Sequence, residues 1–135
     1  RVAAIAAKSL KEVAYHARRS TDLLVRLGDG TELSRQRMQE AIDDVWPHVG
    51  ELFVDDEITQ ALAARGVTPL HESLREAWET HVAQVLEEAT LSMPPAGEAF
   101  HPAHRGGVHG RHTEALGYLL AEMQHLQRAY PGARW

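Results

Sequence analysis

With cysteine absent, the side chains able to do chemistry in this sequence are chiefly its nine histidines and nineteen carboxylates. There is no thiolate nucleophile, no Cys-ligated zinc and no disulfide. The chemistry left to test is metal ligation from helices. A di-iron site in a helical bundle takes a Glu from each of two helices and Glu-x-x-His from two others, all facing inward. Direction matters as much as spacing. Glu122-x-x-His125 has the spacing, but at about 100° per residue His125 points away from the Leu116, Leu120 and Met123 stripe, so the pair reads as solvated. Glu12 and His16 are four apart. His16 falls within the apolar stripe of its segment, Glu12 lies at the edge, and Lys8 one turn earlier is placed to pair with Glu12. His16 therefore reads as a hydrogen-bonded core histidine rather than a ligand.

The remaining candidates are weaker. Asp44 and His48 share a face off the apolar seam of their segment and read as exposed. His81 lies within a stripe and reads as a satisfied core histidine. His101-x-x-His104 and His109-x-x-His112 do not fix a tetrahedral set of four zinc ligands. Gly106-Gly107 with Gly110, followed by Arg111, His112 and Thr113, could make an anion-binding helix N-terminus. The favoured reading is a tight turn that glycine permits. No Gly-rich phosphate loop or G-x-S-x-G elbow occurs. From residue chemistry alone, no catalytic, cofactor-binding or metal-binding residue is assigned.

The elements that would position these residues are helical. Val2, Ile5, Ser9, Val13, His16, Ser20, Leu23 and Leu27 recur at three- and four-residue steps, predicting a helix over 2–27 that stops at Gly28-Asp29-Gly30. Ser34 is the expected N-cap of a second helix, with Met38, Ile42, Val45, Val49 and Leu52 as its seam and Trp46 and Phe53 beside it. Pro47 should kink or break it. A short helix is expected over 56–65, ended by Gly66. Thr68 and Pro69 suggest the start of a long helix to Thr90, burying Leu70, Leu74, Ala77, Trp78, His81, Val85 and Ala89. Residues 92–111 form a long loop, and loops of that length are usually functional or mobile. A last helix is expected over 112–130. No run alternates with period two for long enough to make a strand. The fold class is all-α.

Composition excludes several functions. The formal net charge of −5, with basic and acidic residues interspersed, argues against nucleic acid as a partner. No apolar run approaches the roughly 20 residues of a membrane span, and no signal peptide is expected. A reducing, cytoplasmic setting fits the lack of cysteine. The chain opens at Arg1 inside a periodic helical pattern, without Met or an N-cap residue, and reads as a piece of a longer protein. Its apolar stripes are too wide for isolated rods and need surface beyond this chain.

The wording of the sequence is more specific than its periods. KEVAYHARRSTDLLVRLGDGTE, Lys11 to Glu32, resembles the third bundle helix and following turn of the C subunits (PaaC) of bacterial ring 1,2-phenylacetyl-CoA epoxidases. RMQEAIDDVWPHVGELF, Arg37 to Phe53, is similar to their next helix, and the segment from Gly106 to Trp135 to their ending. RLGDGTE, GRHTE-x-LG and LLAEMQ-x-LQR carry the likeness.

The resemblance implies a ferritin-like bundle whose first two helices lie upstream. Residues 1–135 would then be the C-terminal portion of a single domain, with additional C-terminal helices. It further implies a non-catalytic structural subunit with no cofactor of its own. The di-iron centre would sit in a homologous catalytic A subunit. A small B subunit and a reductase carrying FAD and iron–sulfur would complete an NADPH- and dioxygen-dependent complex of phenylacetate degradation. Two alternatives stay open: an active di-iron oxygenase subunit using Glu12 and His16, and an unrelated helical interaction module.

Overall fold

A computed structural model describes residues 1–95, 97 and 106–134. Helix α1 runs Val2–Gly28, α2 Glu32–Val45, α3 Glu57–Ala64, α4 Arg75–Glu88, α5 Glu114–Met123 and α6 His125–Ala129. Short 3-10 segments occupy Trp46–Phe53, Glu72–Leu74 and Gly107–His109. No strand occurs among the described residues. The architecture is all-α, as expected of a ferritin-like chain.

The α1–α2 corner is built by one serine. Ser34 is not the N-cap of α2. Thr31 is, its Oγ1 accepting the Ser34 N–H at 3.1 Å while Ser34 Oγ accepts the Thr31 N–H at 3.0 Å. This is a capping box with Ser in the position usually held by Glu or Gln. The same Ser34 hydroxyl donates to Leu27 O at 2.7 Å, satisfying a carbonyl at the end of α1. One short side chain closes one helix and opens the next.

Pro47 breaks α2 as expected, and the break changes which residues are buried. After Val45 the chain winds as a 3-10 helix to Phe53, with about three residues per turn instead of 3.6. The a/d register fails from that point. Val45 and Leu52, expected in the seam, are exposed, while Trp46 and Phe53 are buried. Phe53 meets Trp78 edge-on at 5.4 Å, Trp46 lies 6.0 Å from Trp78, and the Arg75 guanidinium covers Phe53 at 5.5 Å.

The long helix expected from Thr68 is shorter. Thr68 donates its hydroxyl to Pro69 O instead of capping. Helical structure starts at Glu72, where the Asp55 carboxylate accepts the His71 N–H at 2.8 Å and the Glu72 N–H at 3.2 Å. A cap supplied from sixteen residues upstream sets the boundary. Asp56 does the same for α3 locally, accepting the Thr59 N–H at 2.7 Å. Gly66, at φ +67°, ends that helix as expected. Of the stripe expected for the α4 region, Leu70, Leu74, Ala77 and His81 are exposed, whereas Ala89 is buried as expected, and Leu86 and Leu91 are buried beside it.

The core is small. Ile42, Trp46, Leu86, Ala89 and Leu91 form it, with Leu24, Val25, Met38, Val49, Trp78 and Val82 packed round them. It sits where α1 ends, α2 crosses and α4 ends. A Cβ on Gly28 would collide with Ala89 O, so the two helix ends can approach only with glycine there. Thr90 donates its hydroxyl to Gly28 O at 3.1 Å. Gln39 clamps the departing chain, accepting from Ser92 N at 2.8 Å and donating to Ser92 O at 3.1 Å.

The expected last helix is two. The chain breaks at Gln124 between α5 and α6, with no proline or glycine at that point. Of the long loop, the ends are described. His101 and His104 lie outside the described residues.

Candidate functional site

A broad unpartnered surface covers the N-terminal two-thirds of α1. Residues 1–20 are exposed throughout, although Val2, Ile5, Leu10 and Val13 are large apolar side chains, with Val2 at 68% and Val13 at 58%. Ala3, Ala6, Ala7, Ala14 and Ala17 lie among them in sequence. At about 100° per residue these positions span more than half of the circumference. Lys8, Lys11, Arg18 and Arg19 take the rest.

The body of the protein grips only the far end of α1. Thr21, Leu24, Val25 and Gly28 pack there, on an edge rotated roughly a quarter turn from the expected Val2–Leu27 stripe. Between α1 and α4 a groove of about 240 Å³ runs past Thr21, Leu24, Val82 and Val85, with His81 on its wall. An apolar arc this wide on a helix about 40 Å long is the mark of a surface that other helices cover.

His16 is on this uncovered face, so within this chain it is no core histidine. Its Nε2 lies 2.9 Å from Glu12 Oε1, both side chains about two-thirds exposed or more. Glu12 is therefore engaged by His16 and not by Lys8. Asp44 and His48 are exposed, as expected. Glu122 and His125 are exposed on either side of the Gln124 break. His81 is exposed too, because α4 turns Val82, Val85 and Leu86 toward its neighbours.

The Glu12–His16 spacing is four rather than three and the two bond each other. The helix break separates Glu122 from His125. Among the described residues no three His, Asp or Glu side chains are grouped so as to hold a metal ion.

The glycine segment at 106–110 is the expected tight turn, and it also receives an anion, the chain's own Glu51. Gly106 N–H donates to Glu51 Oε1 at 2.9 Å and Val108 N–H at 3.4 Å. The turn takes left-handed backbone at Gly106 (φ +110°) and Gly110 (φ +79°), which aims successive N–H groups at one point. The Gly106 N–H bond, with those of Val108 and Gly107 and the nearby His112, holds the Glu51 carboxyl below its ordinary pKa. Beside it a cavity of about 380 Å³ is bordered by Val54, Asp56, Thr59, His109 and Arg111. Sequence reasoning finds the glycines but not their acceptor, which is 55 residues away.

Against known proteins, the phenylacetic acid catabolic protein family matches the chain over residues 1–135. The chain is 48% identical, over 135 residues, to the C subunit of the 1,2-phenylacetyl-CoA epoxidase of Escherichia coli strain K12. That match takes in 99% of this chain and 52% of the relative, so the chain spans about half the length of the curated protein it matches.

Proposed function

From a chain that belongs to the phenylacetic acid catabolic protein family, we propose a structural role: it is the C-terminal part of a non-catalytic C subunit that supports the di-iron catalytic subunit of a phenylacetyl-CoA epoxidase. The similarity to an epoxidase's C subunit supplies the assembly. The observation that carries the role is the uncovered apolar face of α1, from Val2 to Val13. Upstream helices of the same subunit cover part of that arc and complete a ferritin-like bundle. The assembled subunit then buries apolar surface of the catalytic A subunit and stiffens the helices that hold its metal, as outer-shell contacts do elsewhere. The small B subunit and the flavin and iron–sulfur reductase act on the same cytoplasmic assembly. Glu12 and His16, bonded to each other, give this chain no ligand pair to offer iron.

The test is reconstitution. The full-length protein is expressed alone and together with the catalytic A subunit, and iron content, solubility and ring epoxidation are measured. Iron is expected to follow the A subunit, which on its own is expected to be insoluble or inactive. Stoichiometric iron in the full-length protein expressed alone would restore the rival reading of an active di-iron subunit. Full turnover by the A and B subunits with the reductase alone would remove the supporting role.

A further inference from the structure

The Glu51 turn joins the helical body to the C-terminal segment. Among the described residues, α5 packs most extensively with α6, and neither makes packing of that extent with α1 to α4. Along α5 and α6, Tyr118, Leu119, Met123 and Leu126 are exposed. These two helices therefore form an arm, and a charged tie between arm and body is the carboxylate of Glu51 seated on the backbone of residues 106–108.

We infer that Glu51 is a clasp that fixes the direction of the C-terminal arm, so that removing its charge frees the arm without unfolding the helical body.

Three features make the clasp specific. The contact is a charged acceptor on aligned backbone donors, the stronger class of hydrogen bond. Gly107 leaves room for it, since a Cβ there would lie 3.0 Å from Glu51 Oε2. The turn itself is closed by Arg111 N–H to Gly106 O at 2.8 Å and His109 N–H to the same oxygen at 2.9 Å, so the donors arrive together. Glu51 stands on the 3-10 segment that Pro47 starts, anchored by buried Trp46 and Phe53 on either side. The clasp is thus rooted in the core. The titratable and charged groups around it are His112 and Arg111 from the arm side, His109 facing Asp56, and Asp56 itself at the start of α3.

The sign of the pH effect follows. A carboxyl held below its ordinary pKa contributes above the ordinary carboxylate range, and that contribution is lost as pH falls through the depressed value. The clasp is closed at neutral pH and opens in acid.

Amide hydrogen exchange, read by mass spectrometry on the full-length protein, tests this with Glu51→Ala, Glu51→Gln and Gly106→Ala. Exchange over 106–111 should rise at least about tenfold in Glu51→Ala, with α2 and α4 unchanged. Gly106→Ala, which strains the turn but keeps the carboxylate, should open the same segment. After correction for intrinsic rates, the wild type should lose protection there on acidification, whereas Glu51→Gln should show no such step. Unchanged exchange over 106–111 in Glu51→Ala, or an acid step that persists in Glu51→Gln, would overturn the inference. So would loss of protection spread evenly over α2 and α4, which would make Glu51 a general stability residue.

Discussion

Gly28 shows how far one position can reverse a general rule. In a helix interior, glycine to alanine normally stabilises by up to about 1 kcal/mol, since glycine has more backbone freedom to lose. At Gly28 the added Cβ would strike Ala89 O and press on Leu91. Gly28→Ala is therefore expected to destabilise the full-length protein by about 1–3 kcal/mol, read as a lower urea midpoint at unchanged slope; a raised midpoint would refute the close approach. Two acids give a pH prediction at the same scale. Glu51 is held low chiefly by Gly106 N–H and Asp56 chiefly by Thr59 N–H. Their contributions are full above about pH 5 and fade as pH falls through the depressed values. Asp56→Asn should flatten part of the acid limb of a stability–pH curve and leave the neutral limb level. The helix that Asp56 caps was legible as a short helix over 56–65, though the cap itself was not singled out. The role of Glu51 was not legible, because nothing local marks a carboxylate whose donors lie far along the chain.

Helix boundaries were settled by contacts of different range. Thr31 caps α2 through a box with Ser34, and Thr31→Ala should cost about 1 kcal/mol, seen in thermal melts. The start of the α4 region depends on Asp55, which lies between α3 and the 3-10 segment and accepts two N–H groups there. Asp55→Ala should cost about 1–2 kcal/mol, whereas Thr68→Ala should cost little, the reverse of what local capping rules expect. Pro47 acts through register. By forcing the 3-10 turn it swaps Trp46 and Phe53 into the core in place of Val45 and Leu52. Trp46→Ala should therefore cost about 3–5 kcal/mol and Leu52→Ala far less, compared by chemical denaturation. The proline was readable. The swap it causes needed the backbone path.

At the scale of the whole molecule, the uncovered face of α1 carries the proposed structural role. Val13→Asp places a charge in the middle of that face, on a residue that touches nothing in this chain's core. Co-purification of the full-length protein with the proposed catalytic partner is expected to fall at least about tenfold, by the cost of burying an unpaired charge. Lys11→Asp, on the charged side of the same helix, is the control and should leave it intact. Equal retention of the partner by Val13→Asp would show that the face is not covered in the assembly.

The sequence by itself determined the all-α class, the break at Pro47, the ends of α1 and α3, and the family, because these rest on local chemistry: periodic apolar residues, a missing N–H, glycines past helix ends, and runs of identical residues. It also showed that its apolar stripes exceed what one short chain can bury. The tertiary structure decided which edge of α1 is gripped, that His16 and His81 stand exposed, that Asp55 starts the α4 region and that Glu51 fills the glycine turn. Each of those depends on groups distant in sequence meeting in space, and no window of neighbouring residues carries that information.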